Sequence, residues 1–202
     1  LTGVLNDYPF QQDSKSVELL RKQLVSTKSP EVQTALVYWL ANQEIENIHT
    51  LAAPLTTSSN KMVRKAASIA LAKEGGDQAL IALAAMLKSD DEETVALAKN
   101  ALATFDGDIS YTLASVFDAS GDAGKIAILE LIANRKMESQ YNLVYNQLFS
   151  DNDAVKTVAA GTLKEVATDK NLPDLFTLLE QPGQAYTPAI PQAINTALSY
   201  LP

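Results

Sequence analysis

The fold is decided by the stretch from Met62 to Ala72, which reads MVRKAASIALA. Counting from Val63, small or apolar residues recur three, four, seven and eight positions further on. An α-helix has about 3.6 residues per turn, so this spacing places all of them on one side. The stretch is therefore predicted to be a helix with one buried face made mainly of small residues.

The same pattern recurs along the chain at nearly equal intervals. Its copies begin 31, 32, 31, 29 and 35 residues apart, which indicates a repeat architecture. The copies are Val32-Ala35-Leu36-Trp39-Leu40, Val63-Ala66-Ala67-Ala70-Leu71, Val95-Ala98-Leu102-Ala103, Ile126-Leu129-Ala133, Val155-Val158-Ala159-Leu163 and Ile190-Ala193-Ile194-Ala197-Leu198.

Leucine-rich segments with helical spacing lie between these copies, for example Leu80-Leu83-Leu87. Each repeat is therefore predicted to be one Leu-rich first helix followed by one Ala/Val-rich second helix. We predict an all-α solenoid of about six helical hairpins. The repeat boundaries are predicted at 13–43, 44–75, 76–106, 107–136, 137–168 and 169–202.

The residues between the helices agree with this division. Ser29-Pro30 has the pattern of a helix N-cap followed by proline at the first helical position. Gly75-Gly76 can end a helix in the left-handed conformation, with Asp77 capping the next. Cap positions before the other second helices are predicted at Asn60, Asp91, Asp122 and Asp153.

The run from Val63 to Leu71, followed by Gly-Gly-Asp and a Leu-rich helix, resembles a HEAT repeat. It is most similar to the short HEAT-like repeats named after the phycobilisome lyases. Pro54, inside a Leu-rich helix, resembles the proline kink of such repeats. The resemblance extends from about Asp13 to Leu201 and implies a right-handed α-α superhelix of the HEAT/armadillo type.

Composition limits the function. The formal net charge is −8, which disfavours nucleic acids and anionic membranes as partners. The chain has no cysteine, so disulfides and thiolate sites are excluded, and its compartment stays open. The apolar first residues, Leu1 to Leu5, look like the tail of an earlier helix, and Ile194, Leu198 and Leu201 end the last helix without a polar cap. We therefore expect a fragment of a longer protein.

The sequence offers no catalytic, cofactor-binding or metal-binding constellation. Hydroxylases of related fold bind iron through repeated His-Glu pairs, but His49 is the one histidine and precedes Thr50, so we interpret it as a surface or packing residue. The acids of 90–93 open a helix, where they favour the dipole, and those of 151–153 form a turn and a cap. Similarity to lyases would require a pocket near Tyr38 and Trp39, of which Trp39 lies on the buried stripe.

In HEAT-type solenoids the second helices line the concave side. Residues just beside their buried stripe are therefore predicted to form a groove that binds an extended or acidic segment of a protein or peptide partner. The main predicted contacts are Tyr38, Arg64, Lys65, Ser68, Lys99, Asn100, Lys156 and Thr157. Gln33, Thr34, Val37, Ile128 and Lys164 extend the same row.

The predicted function is thus a non-catalytic interaction scaffold. Two alternatives stay open. One is a spacer that positions another domain of the same chain, since large bacterial proteins with similar arrays often join them to a catalytic or carbohydrate-active domain. The other is a phycobilin-lyase-like enzyme.

Overall fold

The computed structural model describes residues 14–43, 45, 47–181 and 187–201. These residues form twelve α-helices and contain no strand, which confirms the prediction of an all-α fold. The helices are α1 (Ser14–Ser26), α2 (Pro30–Asn42), α3 (His49–Ala52), α4 (Lys61–Glu74), α5 (Gly76–Met86), α6 (Glu92–Ala103), α7 (Ser110–Phe117), α8 (Asp122–Asn134), α9 (Tyr141–Gln147), α10 (Asp153–Val166), α11 (Leu172–Leu179) and α12 (Ile190–Leu198).

Short 3₁₀ helices extend several of the α-helices. Ala53–Thr57 continues α3, and Pro54 lies at its start, so the predicted kink takes the form of a change from α to 3₁₀ geometry. Glu138–Gln140 and Asp169–Asn171 lead into α9 and α11, and Thr187–Ala189 leads into α12.

The chain folds as two compact units. The first contains the described residues up to Met86 together with Glu93–Ile109. The second contains Leu87–Glu92 and the described residues from Ser110 onward. In the first unit α2 packs against α4, and in the second α10 packs against both α8 and α12.

The second helices pack through small side chains. On α4, Val63, Ala66, Ala67, Ala70 and Leu71 are all 0% exposed, as the repeated pattern predicts. Alanine lets two helix backbones approach more closely than leucine does, because ridge and groove are then both shallow. The buried stripe is thus a packing surface, and the residues beside it are left to face the grooves.

A recurring hydrogen-bonded turn precedes four of the second helices. In each, a Ser or Thr hydroxyl oxygen accepts a hydrogen bond from the backbone N–H two residues later, a local turn that fixes the approach of the chain. The N–H and hydroxyl pairs are Ser29 to Thr27 (3.3 Å), Asn60 to Ser58 (3.2 Å), Asp91 to Ser89 (3.1 Å) and Asn152 to Ser150 (3.3 Å).

The N-caps follow from these turns. The Ser29 hydroxyl accepts from the N–H of Val32, and the Asn60 side chain accepts from the N–H of Met62, so both predicted caps are confirmed. The predictions for Asp122 and Asp153 are wrong by one residue, because each is the first residue of its helix. The N-cap positions there are Gly121 and Asn152.

Two glycines separate α4 from α5. Gly75 and Gly76 have φ angles of 73° and 75°, which L-residues with a side chain rarely adopt. The predicted left-handed stop is therefore confirmed. Asp77 does not cap α5 but lies in its first turn, because the helix begins at Gly76.

The predictions for the two ends of the chain can be compared with the structure only at the C-terminal end. The predicted helix tail at Leu1 to Leu5 lies outside the described residues. Leu198 and Leu201, in contrast, are 43% and 50% exposed. An extension or docking partner beyond this helix stays a prediction, as do the repeat boundaries.

The packing of α8 yields a stability prediction. A Cβ added at Gly124 would overlap the backbone carbonyl oxygen of Leu87 and crowd the Cβ of Ser120. Because the obstacle includes backbone, Gly124→Ala should destabilise the protein by about 1–3 kcal/mol. Urea unfolding followed by circular dichroism measures this change.

Gly161 in α10 is the matched control. An added Cβ there meets nothing within 4 Å. Gly161→Ala should therefore stabilise the protein by about 0.5–1 kcal/mol, since alanine loses less backbone entropy in a helix. Equal effects of the two substitutions would contradict the close approach at Gly124.

Candidate functional site in the grooves between second helices

The predicted contact residues are divided between the two units. Tyr38 lies on α2, Arg64, Lys65 and Ser68 on α4, and Lys99 and Asn100 on α6, all in the first unit. Lys156 and Thr157 lie on α10 in the second unit. Each unit therefore presents its own part of the predicted surface.

A groove of 330 Å³ between α4 and α6 contains three of the predicted residues, Lys65, Ser68 and Asn100. We call it the α4/α6 groove. Its full lining is Lys65, Ser68, Ile69, Ala72, Lys73, Leu97, Asn100, Ala101 and Thr104. The lining thus combines two lysines and polar side chains with an apolar floor, and it includes no Asp or Glu.

A second groove, of 350 Å³, lies between α2 and α4 and contains Tyr38. Burial raises the pKa of the Tyr38 phenol above its usual value, so its hydroxyl stays protonated. Glu31 lines the same groove, and the Ser29 hydroxyl donates to its carboxylate at 2.7 Å. This bond lowers the pKa of Glu31, which keeps the carboxylate ionised. Trp39 is only 8% exposed, as the buried stripe predicts.

Arg64 is engaged within the protein. One guanidinium nitrogen donates to the backbone carbonyls of Ser58 (2.9 Å) and Ser59 (3.2 Å) in the turn before α4. The other donates to the Glu93 carboxylate on α6 at 3.0 Å, and Lys61 pairs with the same carboxylate. These bonds tie the turn to α6. Because the Arg64 side chain is only 11% exposed, it also presents little charge to a partner.

Three positions in the predicted row are buried. Val37 and Ile128 are 1% and 0% exposed, so the expectation that they face a groove is wrong. The buried stripes of α2 and α8 are wider than the pattern of three and four residues implies. Ser68 is 1% exposed and its hydroxyl donates to the Lys65 carbonyl oxygen at 2.9 Å, so it forms groove floor and not groove rim.

The two predicted residues of the second unit are bound to the start of their own helix. The Lys156 ammonium pairs with the Asp153 carboxylate at 3.0 Å. The Thr157 hydroxyl donates to the Asp153 carbonyl oxygen at 2.8 Å. These are local α10 contacts, so the observations favour the first unit as the place where predicted residues converge.

The sequence did not indicate a third feature, a pair between His49 and Glu74. The His49 Nδ1 lies 2.8 Å from a Glu74 carboxylate oxygen, and the two side chains are 24% and 16% exposed. His49 is thus a packing residue, in agreement with the interpretation from sequence. The contact joins residues 25 positions apart, and a lone histidine carries no sequence signal for such a partner.

The described ranges also bear on metals and membranes. Within them no group of three or more His, Asp or Glu side chains lies close enough to hold a metal ion. Among the same residues, no helix has the length and apolar character needed to cross a bilayer.

The fold and grooves define the class: an all-α chain in which first and second helices alternate as hairpin repeats. Comparison with known families agrees, because residues 13–103 match the profile of HEAT repeats. This match supports the HEAT-repeat resemblance that the sequence predicts. The finer similarity to lyase-type repeats stays a prediction.

Other comparisons add less. Among solved structures, the crystal structure of an engineered protein is similar at 20% identity, with a TM-score of 0.48. The alignment covers 92% of this chain and 97% of that one. No curated protein shows significant similarity to the sequence.

The different environments of Arg64 and Lys65 can be tested by stability measurements. Arg64→Ala should lower the free energy of unfolding by about 1–3 kcal/mol, because it removes charge-assisted hydrogen bonds from a largely buried side chain. Lys65→Ala, at the exposed neighbouring position, should change it by less than about 0.5 kcal/mol. Chemical denaturation of both variants gives the comparison, and equal losses would contradict a structural role for Arg64.

Proposed function

We propose that this chain is an interaction scaffold whose α4/α6 groove binds an acidic, extended segment of a partner protein. One observation carries the proposal: the groove lining has two lysines and no carboxylate, in a protein of net charge −8. A local reversal of sign on an acidic surface is the electrostatic complement of an acidic segment.

The groove chemistry suits a segment that alternates acidic and apolar residues. Lys65 is exposed at the rim, and Asn100, also exposed, offers an amide that can both donate to and accept from a peptide backbone. Ile69 is 41% exposed and lies with Leu97 and Ala72 on the apolar part of the lining. Carboxylates of the partner segment would pair with lysine, and an aliphatic side chain of the same segment would cover the apolar floor of the groove.

The spacing of the grooves favours an extended chain. Packed helices lie about 8–10 Å apart, and an extended chain rises about 3.3 Å per residue, so neighbouring grooves are about three residues apart along it. A side chain placed in the α4/α6 groove would therefore have a counterpart, three positions away, at the groove of Tyr38. Glu31 lines that second groove, so a neutral or aromatic residue fits there better than an acid.

Screening decides which charges act on the bound segment. At physiological ionic strength the Debye length is about 8 Å, so distant acids of the protein are largely screened while lysines in contact are not. The local lysines then dominate the interaction. Binding should nevertheless weaken as salt increases, since the contact charges are near the surface.

The other functions considered from the sequence differ in what they require. A spacer needs no ligand in the groove, and a lyase-like enzyme needs a chromophore pocket near Tyr38. No contact or distance among the described residues favours either over the scaffold.

A charge reversal at Lys65 tests the proposal. The probe is a fluorescent, acetylated peptide with leucine at every third position and glutamate elsewhere, and binding is followed by fluorescence anisotropy at low salt. Lys65→Glu should weaken binding by about tenfold, or about 1.4 kcal/mol, because an attraction becomes a repulsion. Arg64 is left unchanged in this variant, since its loss would also disturb the fold.

Two controls make the result specific. Lys88→Glu reverses an exposed lysine outside the groove and should leave the affinity unchanged. A peptide with glutamine in place of glutamate should bind more weakly to the unaltered protein. Equal losses from Lys65→Glu and Lys88→Glu would show a non-specific charge effect and exclude the groove as the site.

The absence of cysteine allows a second, positional readout. An environment-sensitive dye on an Asn100→Cys variant should respond to the peptide, whereas the same dye on Asn134→Cys in the second unit should not. A response at both positions, or only at the control, would contradict binding in the α4/α6 groove.

A further inference from the structure

A cavity of 560 Å³ lies in the first unit, where α3 begins and where α4 passes through the two glycines into α5. We call it the Glu74 cavity. Ala41, Ile48 and Ala70 give it an apolar part, and His49 and Glu74 give it a polar one. Its volume falls within the usual range of about 300–1,000 Å³ for ligand sites.

The Glu74 carboxylate in this cavity is only half satisfied. One oxygen pairs with His49 Nδ1 at 2.8 Å, whereas the other is buried and has no hydrogen-bond partner. Burying an acceptor without a donor is unfavourable, so the site favours a ligand that supplies an N–H. Rotation about the terminal torsion of glutamate, which is soft, can turn this oxygen towards the cavity when a new donor replaces the His49 contact of the other oxygen.

The lysine that lines the cavity has its ammonium directed elsewhere. Lys73 precedes Glu74 and lines the cavity, but its ammonium donates to the Asn42 side-chain oxygen at 3.0 Å. A second carboxylate, Asp77, lines the cavity and is exposed in the first turn of α5. The cavity therefore offers two acidic side chains to an incoming donor.

The glycines leave one wall open. A Cβ added at Gly75 or Gly76 would meet nothing within 4 Å, so space lies beside both. Their positive φ angles keep this turn short of side chains, because a larger residue would be strained there. A linear side chain can thus enter beside the turn and lay its stem on the apolar part.

We propose that the Glu74 cavity binds the guanidinium group of an arginine side chain from a partner protein. A planar guanidinium has five N–H donors, enough to reach both Glu74 and Asp77, and it is more weakly hydrated than an ammonium. Its aliphatic stem matches the apolar part at Ala41 and Ile48. This inference does not depend on the α4/α6 groove, because it rests on the Glu74 and Asp77 carboxylates and on a ligand of opposite charge.

The single histidine provides a direct reporter, because its imidazole gives one unambiguous set of NMR signals. The probe is N-acetyl-arginine methylamide, added to the whole chain at constant pH. The neutral control is the citrulline analogue, which has nearly the same shape but no charge. We expect a saturable shift of the His49 signals with the arginine probe and binding at least tenfold weaker with the citrulline analogue.

Variants then locate the acceptor. Glu74→Gln keeps the size of the side chain and should weaken arginine binding at least tenfold, whereas Glu180→Gln, at an exposed glutamate of the second unit, should leave it unchanged. A circular dichroism melt checks that each variant is folded. The comparison of arginine with citrulline needs no variant, so it decides the question even if Glu74→Gln proves unstable.

Three results would overturn the proposal. They are an equal response to the arginine and citrulline probes, unchanged arginine binding by folded Glu74→Gln, and equal or tighter binding of the lysine analogue. Loss of acidic-peptide binding at Lys65 would not count against it, because that measurement reports on the α4/α6 groove alone.

Discussion

Close packing of helices through small side chains constrains the rest of the structure. On α4 five stripe residues are wholly buried, and the backbone of Leu87, which follows the first helix α5, lies so near Gly124 on α8 that no Cβ fits between them. Helices packed this closely leave only shallow grooves, because no long side chain separates them. Each groove is then lined by the few residues that flank the stripe, and these alone set its charge.

Polar residues hold the turns that lead into the second helices. A hydroxyl two residues before the N-cap position holds the backbone, and at Ser29, Asn60 and Asn152 the cap side chain then bonds the first free N–H groups of the helix. Arg64 adds a longer connection, from the carbonyls of the turn to Glu93 on α6. Polar groups at these helix starts are therefore occupied in holding the hairpins.

The sequence predicted the helices well because their signal is periodic and local. The spacing around Val63 gives the buried face directly, and the glycine pair at Gly75 predicts a positive φ angle. The prediction of N-caps was wrong where a single residue of register matters. At Asp122 and Asp153, the first residue of the helix was taken for the cap. Acidic residues are favourable at either position, so charge alone does not fix the register.

The site was harder to predict than the fold, for a related reason. Lys65 and Asn100 lie where the helical spacing places them, whereas Arg64, one residue earlier, folds back onto its own turn. Lys65 and Arg64 are both cations beside the same stripe, but the turn carbonyls and Glu93 engage Arg64 alone. The His49–Glu74 pair could not be predicted from the sequence, because it joins residues that are 25 positions apart.

Lys73 connects the two proposed sites physically. It lines both the α4/α6 groove and the Glu74 cavity, and its ammonium is held at 3.0 Å by Asn42. An acidic segment in the groove would attract this ammonium, and a guanidinium in the cavity would repel it, because the two ligands carry opposite charge. The contact with Asn42 therefore matters at both sites, since it keeps the ammonium from occupying the carboxylate that an incoming cation would use.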